Sequence, residues 1–585
     1  MKKFSFCLML VLFLMLVGCA NKVGPSGGAP DMYYPEDDGI DEIISGEEYN
    51  ALEENPFVYT DHESSSYFSM DSNTAAYPNL RRQITNGYLY GDVIKTDEII
   101  NYFSYDLPRP EDGEYFKTSG TLIDAPWNAE HKLLTVGVTT KEVSTLDTNG
   151  NNIVFLIDVS GSMDSENKLP LIKKAFPYFL DALSPEDTIS VVTYANGVDV
   201  KFNGLKVAEK ETIIKKVNAL RSSGGTAGSK GLEKAYKVAE ENFIEGGNNR
   251  IIIASDGDFN VGISNQKELQ EYISTKLESG IYVTALGFGM GNYKDTIMES
   301  IAKYGNGIYA YIDSLEEAKK VLVDDLNKSL VTVAKDVKTK MEFNPEYVES
   351  YRLIGYENKQ LSADQFEDET TDAGELGSGH QTVVCYELIL KDGVDISQAD
   401  YLSKVQFNFK DPSTDESMSI YDTFNKTNLV DNPGIKENDL NFVCALIEFG
   451  LLLRNSAYVG TADYEHIMLL LEKNPTVEED ELRFEFKELV ECANRYGMFE
   501  QKDINLEPVD YITITVIFEN AIASIKVKKD LALTEERVIK EIFGSYEDDK
   551  YEYHIALDSE FANQFVPTIA TEGMVLYIKI NPKQA

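Results

Sequence analysis

Asp158, Ser160 and Ser162 stand at i, i+2 and i+4 in the stretch NIVFLIDVSGSM, residues 152–163. Three oxygen-bearing side chains on one short loop can converge on a single small, hard cation, because such ions are held by oxygen. Gly161, between the two hydroxyls, is read as permitting the turn. Two more residues suit the same centre. Thr226 lies in a glycine-rich turn, SSGGTAG at 222–228, and Asp256 directly follows a second apolar run, IIIAS at 251–255. The competing explanation is that Ser160 and Ser162 cap the next helix while Asp158 closes a turn. It accounts for neither Thr226 nor Asp256.

These residues need elements to position them. Ile153–Ile157 is a continuous apolar, β-branched run, the pattern of a strand buried on both faces of a parallel sheet. It ends at Asp158, and a helical pattern starts near Lys168. Ligand sites in such sheets lie beyond the carboxyl ends of the strands. Strand patterns at 153–157, 188–194, 199–205, 250–255, 282–287 and 308–312 alternate with helical ones at 170–183, 208–220, 229–243, 266–279, 295–304 and 315–330. The expected fold class is therefore α/β, doubly wound. The run at 199–205 follows its neighbour after a short turn and reads as an antiparallel edge strand. Two glycine-rich strings carry no nucleotide site. Gly225–Lys230 is followed by Gly231 where a phosphate loop needs Ser or Thr, and Gly287–Asn292 fails the last position of GxGxxG. The second reads as a loop bordering the cation site.

Strand, DxSxS loop, Thr226 and Asp256 together resemble a von Willebrand factor type A (Rossmann-like) domain with a complete metal-ion-dependent adhesion site. The resemblance implies metal ligation by Ser160, Ser162 and Thr226, with Asp158 and Asp256 bonding directly or through water. SDGDFNVG at 255–262 matches the family's segment after the fourth core strand, and Asp258 within it is read as facing solvent or capping a turn. The implied cofactor is Mg²⁺, with Mn²⁺ or Ca²⁺ as alternatives. Mg²⁺ takes oxygen ligands and keeps several waters. Neutral hydroxyls leave its charge unquenched, and carboxylates behind them orient hydroxyls and waters. Such an ion stays electrophilic toward an Asp or Glu carboxylate offered by a protein partner.

YFSMDSNTAAYPNLRR at 67–82, EIINYF at 98–103, RLIGYENKQL at 352–361 and DAGELGSGH at 372–380 extend the likeness. With them the chain is similar to a bacterial lipoprotein family that joins the type A domain to an N-terminal associated segment and a C-terminal domain of unknown function. The family pattern has Asp where Asn73 stands, so Asp71 and Asn73 are read as turn and capping residues. Lys2 and Lys3, the apolar run Phe4–Val17 and the sequence Leu16-Val17-Gly18-Cys19 read as a lipoprotein signal over 1–18, with lipid on Cys19. That places the chain on a membrane of the bacterial cell envelope, extracytoplasmic, at the outer membrane or cell surface. Residues 19–54 read as an acidic flexible tether, 55–147 as the N-terminal segment, 148–330 as the type A domain and 331–435 as a β-sandwich that the N-terminal segment helps to complete. Residues 436–500 read as a small helical bundle. Residues 501–585 read as an α+β module, with a hairpin at 511–528, a helix at 534–543 and strands at 551–557 and 574–580. The run at 442–456 is too short to span a bilayer and is interrupted by Glu448.

Ninety-eight acidic against 54 basic residues give a net charge of −44, which argues against nucleic acid as a partner. The five histidines, at 62, 131, 380, 466 and 554, form no metal-ligand spacing and pair with no nucleophile, so an enzyme is not expected. His380, in a glycine-rich turn, is read as polar surface. Cys385, Cys444 and Cys492 are read as free thiols, with a 444–492 pairing as the alternative. Two functions stay open ahead of a third, a metal-dependent enzyme, for which the catalytic groups are missing. One is metal-dependent capture of an acidic protein partner; the other is a metal-stabilised scaffold of an envelope complex, whose contacts would survive chelation.

Overall fold

The computed structural model describes residues 47–500, except 48, 51, 144–148, 226–227, 258–265, 277–278, 291–292, 326–327 and 329, and the backbone of strands between 511 and 582. The expected signal, Cys19, most of the expected tether, Thr226, Asp258 and the helix expected at 534–543 lie outside the described residues.

The type A domain is built on β1 (Asn151–Asp158), β2 (Thr188–Tyr194), β3 (Val198–Lys206), β4 (Asn248–Ser255), β5 (Ile281–Phe288) and β6 (Tyr309–Ile312), ordered β6-β5-β4-β1-β2-β3. All neighbours are parallel except β3, which runs antiparallel to β2 at the edge. Every residue of β1 is buried. Its alternate side chains feed two cores. Ile153, Phe155 and Ile157 pack with Phe176 and Phe179 on one face. Val154 and Leu156 pack with Leu232 and Tyr236 on the other. That two-sided burial is why the strand reads as an unbroken apolar run.

The described residues up to Met498 form a first compact unit, and its remaining strands form two facing sheets. One runs Val58–Tyr59, Val348–Ile354, Gln381–Leu390, Asn128–Thr140, Phe116–Ala125. The other runs Gly374–Gly377, Thr332–Phe343, Ser403–Lys410, Ser417–Phe424, with Ser65–Ser69 also on Thr332–Phe343. Phe68, Val136, Met341, Phe343, Tyr386 and Phe407 share the core between them. Strands from before and after the type A domain thus interleave in one sandwich. Phe116–Ala125 and Ser417–Phe424 were not among the expected strands. The first contains Gly120, where a Cβ would come within 2.6 Å of Leu429 and 2.8 Å of Phe424, so its apolar alternation is interrupted at a close contact. The second is a mostly exposed edge strand with little apolar pattern to read.

Helices Glu437–Leu453, Tyr464–Glu472, Pro475–Glu479 and Glu481–Arg495 pack with Ala76–Thr85 and Thr96–Asn101 from the N-terminal segment. Aromatic rings make this joint: Tyr77 stacks on Tyr102 at 4.3 Å, and Phe442 and Phe449 meet Phe486 edge-on at 5.5 and 5.1 Å. Buried ion pairs clamp the type A domain into this frame. Arg81 reaches Asp313 (2.6 Å), Glu317 (2.9 Å) and Glu485 (2.8 Å). Lys95 reaches Asp295 (3.4 Å) and Glu299 (3.1 Å), while Lys359 ties the sandwich region to the N-terminal segment through Asp71 (2.9 Å) and Asp97 (2.7 Å).

Several expectations need correction. The acidic stretch read as tether is docked by its last residues: Glu47 pairs with buried Arg82 at 2.9 Å, and Glu54 with Arg352 at 3.2 Å. A buried guanidinium requires a carboxylate, and these glutamates supply it. Asp71 and Asn73 do close a turn, Asn73 N donating to Asp71 Oδ1 at 3.2 Å. They cap no helix. Asn73 Oδ1 instead accepts from Tyr309 N of β6 at 3.0 Å, so the pair bonds outward to β6 and Lys359. The helix expected over 315–330 is α-helical over Leu315–Lys319 and widens to a π-turn over Lys320–Asp324, closed by Asp325 N to Lys320 O at 2.8 Å. His380 is buried, not surface. Cys385, Cys444 and Cys492 are free thiols, as expected.

Residues 499–585 are a second compact unit. Its four-stranded sheet runs Ala521–Lys528, Tyr511–Phe518, Val575–Pro582, Tyr551–Ala556. The expected hairpin is present, and Tyr511–Phe518 also pairs in parallel with Val575–Pro582. No helix among the described residues of the chain is long and apolar enough to cross a membrane.

Candidate metal centre

β1 delivers Asp158 to the carboxyl edge of the sheet, and the adjacent parallel strand β4 delivers Asp256 just past its own end. Both carboxylates are fully buried. Asp158 Oδ1 accepts the Ser160 amide at 2.7 Å, and Asp158 Oδ2 accepts the Ser255 hydroxyl at 3.3 Å. Burial pushes the Asp158 carboxyl up to about 6; the Ser160 amide and hydroxyl oppose this, and the neighbouring Asp256 adds to it.

The loop after β1 is pinned from two sides. Val159 N donates to Tyr194 O at 2.9 Å, Ser223 N to Val159 O at 2.8 Å and Gly161 N to Gly224 O at 2.9 Å. The glycine-rich turn is thereby laid against the DxSxS loop. Gly161 is not in the left-handed region, and a Cβ there would meet nothing closer than Gly224 O at 3.4 Å. The turn therefore does not depend on a glycine at 161, contrary to the expectation.

Ser160 Oγ and Ser162 Oγ lie 3.0 Å apart, the first buried and the second exposed. Neither the short 3₁₀ turn after Ser160 nor the helix Leu169–Asp181 takes a side-chain cap, so the hydroxyls are not spent on capping. The spacing suits a metal. An octahedral ion with oxygens at about 2.0–2.1 Å has adjacent ligands about 2.9 Å apart. Two hydroxyls at that separation, over two buried carboxylates, are a donor set that fits Mg²⁺. No group of three or more His, Cys, Asp or Glu able to hold a metal occurs among the described residues.

Asp256 already has one cationic neighbour, which the sequence reading missed. Lys168 Nζ donates to Asp256 Oδ2 at 2.9 Å, with the lysine side chain 4% exposed. The available signal was charge: two carboxylates at the ends of buried strands call for compensation. A lysine after a polar loop reads otherwise as solvated.

Residues 152–328 match the family "von Willebrand factor type A domain", residues 43–135 "von Willebrand factor", and residues 328–496 "Uncharacterized protein YfbK, C-terminal". The chain is 34% identical over 469 residues to the YfbK protein of Escherichia coli (strain K12), covering 76% of this chain and 81% of that one. The inter-alpha-trypsin inhibitor heavy chain H3 of Rattus norvegicus is 28% identical over 164 residues, which are 27% of this chain and 18% of that one. Among solved structures, a von Willebrand factor type A protein from Catenulispora acidiphila aligns at 17% identity and TM-score 0.37, over 64% of this chain and 89% of that chain. The N-terminal segment, the type A domain and the C-terminal region all take part in these matches. The chain belongs to the YfbK family of bacterial von Willebrand factor type A domain proteins.

Proposed function

We propose that this chain is an envelope-anchored binding protein that grips an acidic side chain of a protein partner through a divalent cation, Mg²⁺ foremost. Ser160, Ser162 and Thr226 would hold the ion, and Asp158 and Asp256 would orient the hydroxyls and waters around it. When bound, the ion supplies an electrophilic position for a carboxylate. The observation that carries the reading is the 3.0 Å hydroxyl pair above two buried carboxylates. Asp158 fixes the Ser160 backbone through its amide, so the hydroxyl is presented before any ligand arrives. Type A domains are typically interaction or adhesion modules, which supports the protein-binding role. Met290, 45% exposed and next to Gly289 of the neighbouring loop, offers an apolar contact at the rim.

The test is a melting curve of the purified chain in Mg²⁺, Mn²⁺ or chelator. An ion at 100 times its dissociation constant adds about 2.7 kcal/mol to the native state. Asp158→Ala is expected to abolish that gain. Equal melting with and without metal in the wild type overturns the metal centre.

A second reading, a scaffold whose contacts do not need the metal, is favoured by the ion pairs of Arg81, Lys95 and Lys359, which lock the modules together. Partner capture that persists in chelator decides for it.

The anchor rests on the Leu16-Val17-Gly18-Cys19 sequence. Cys19→Ser is expected to move the chain from the membrane pellet to the soluble fraction of broken cells. A variant that still sediments with membranes refutes lipidation as the anchor.

A further inference from the structure

Lys168 is not a surface residue that happens to reach the centre. Its side chain is 4% exposed, its ammonium lies 2.9 Å from Asp256 Oδ2, and Asp256 itself is fully buried. Its path is built into the backbone. Gly289, on the loop after β5, has φ +84°, and a Cβ there would overlap Lys168 Cε and lie 2.7 Å from Cγ and Cδ. Only glycine leaves room for the lysine stem at that point, and only glycine adopts that φ without strain. The loop is tied in place by the Tyr311 hydroxyl, which donates to Gly289 O. A lysine threaded past a glycine onto a buried carboxylate is a specific arrangement.

Charge counting gives its consequence. Asp158, Asp256 and Lys168 together carry −1. Without the lysine they carry −2, which matches a divalent ion. An ammonium beside the centre repels an incoming cation, and it does so strongly because solvent is excluded there. It also occupies an oxygen of Asp256 that would otherwise orient metal-bound water.

We infer that Lys168 is a resident counter-cation of the centre, held there by Gly289, which sets how weakly the site takes a divalent metal. The inference rests on the proposed metal centre. It makes the lysine a positioning and tuning residue rather than a ligand.

The experiment titrates Mn²⁺ into the purified wild-type chain, Lys168→Met, Lys168→Gln and Lys168→Arg, by calorimetry, with melting in metal and in chelator alongside. Lys168→Met is expected to bind Mn²⁺ about ten-fold tighter or more. It should also melt lower than wild type in chelator, where Asp256 has lost its ion pair, and show a larger metal-induced rise. Lys168→Arg should stay near wild type. Lys168→Gln keeps a donor for Asp256 without the charge, so it reports the same tightening should the methionine variant fail to fold. Wild-type or weaker affinity in the neutral variants overturns the role of Lys168 and leaves the metal centre standing. No Mn²⁺ bound by any form at millimolar concentration overturns both.

Discussion

Arg81→Met is expected to lower the unfolding free energy of the first unit by about 3–5 kcal/mol, the cost of removing one partner from a buried ion pair. The guanidinium is 11% exposed and serves three carboxylates on different modules. Glu317 is hit hardest. It is 1% exposed, and once Arg81 is gone its Oε2 retains the Tyr102 hydroxyl at 2.6 Å. Burial already pushes the Glu317 carboxyl up, and Arg81 is the largest influence holding it down. Removing that influence favours the protonated acid. Arg81→Lys should recover only part of the loss, because a point charge cannot serve two carboxylates in the geometry of the planar fork. Urea unfolding measures both. Lys487→Met, which breaks a pair with the 60% exposed Glu478, is the control and should cost less than about 1 kcal/mol. If Arg81→Met falls in the control's range, the network does not hold the modules together.

The second large effect is a pH dependence carried by His380. Its ring is buried beside Lys320, Asp325 and Lys328, and Nε2 has no hydrogen-bond partner among the described residues. Burial, then the Lys328 ammonium, push its pKa down to about 3, so the folded chain holds it neutral. The unfolded chain protonates an ordinary histidine below about pH 6.5. Between these values the unfolded state binds the extra proton, so stability falls as pH is lowered through that window. The contribution is complete above pH 6.5 and is lost at roughly 1.4 kcal/mol per pH unit below it. At pH 4.5 the loss is about 3 kcal/mol. Buried carboxylates also titrate on this path, so the comparison is with His380→Gln, whose stability should decline less steeply between pH 6.5 and 4.5. Parallel profiles for the two chains would place the ring in solvent contact.

What the sequence reveals follows from what each residue type can and cannot conceal. β1 was legible because burial on both faces forces an unbroken run of Ile, Val, Phe and Leu, and Thr188–Tyr194 and Asp295–Tyr304 were read to the residue. The antiparallel edge strand followed from its short turn. Phe116–Ala125 escaped because Gly120 breaks its pattern where Leu429 and Phe424 press against the backbone, a contact with residues some 300 positions away. His380 escaped for the same reason. A histidine among glycines looks exposed until the π-turn at Lys320–Asp324 and the sandwich close over it. At the centre, Asp158, Ser160 and Ser162 announce themselves by spacing. Lys168 and Gly289 do not, because their relation is steric, spans two loops and has no local signature. The docking of Glu47 and Glu54 was hidden likewise, since an acidic residue that solvates a tether and one that answers a buried arginine have the same sequence.

The interleaved sandwich has a kinetic corollary. Strand Asn128–Thr140 belongs to one sheet and Thr332–Phe343 to the other, and the whole type A domain lies between them. While residues 141–331 are unfolded, closing the sandwich means closing a very long loop. Once the domain has folded on its own local βα contacts, its ends are held close, as Thr140 N to His380 O (2.9 Å) and Ser378 N to Val331 O (2.8 Å) require. Loops with unformed long-range pairings are slow to close and prone to aggregate in the interval. Chain connectivity thus favours one order of events, in which the inserted domain is expected to fold first and its host to assemble around it. A lesion in β1 should therefore appear first as a failure of the sandwich to form, at a distance from the damaged strand.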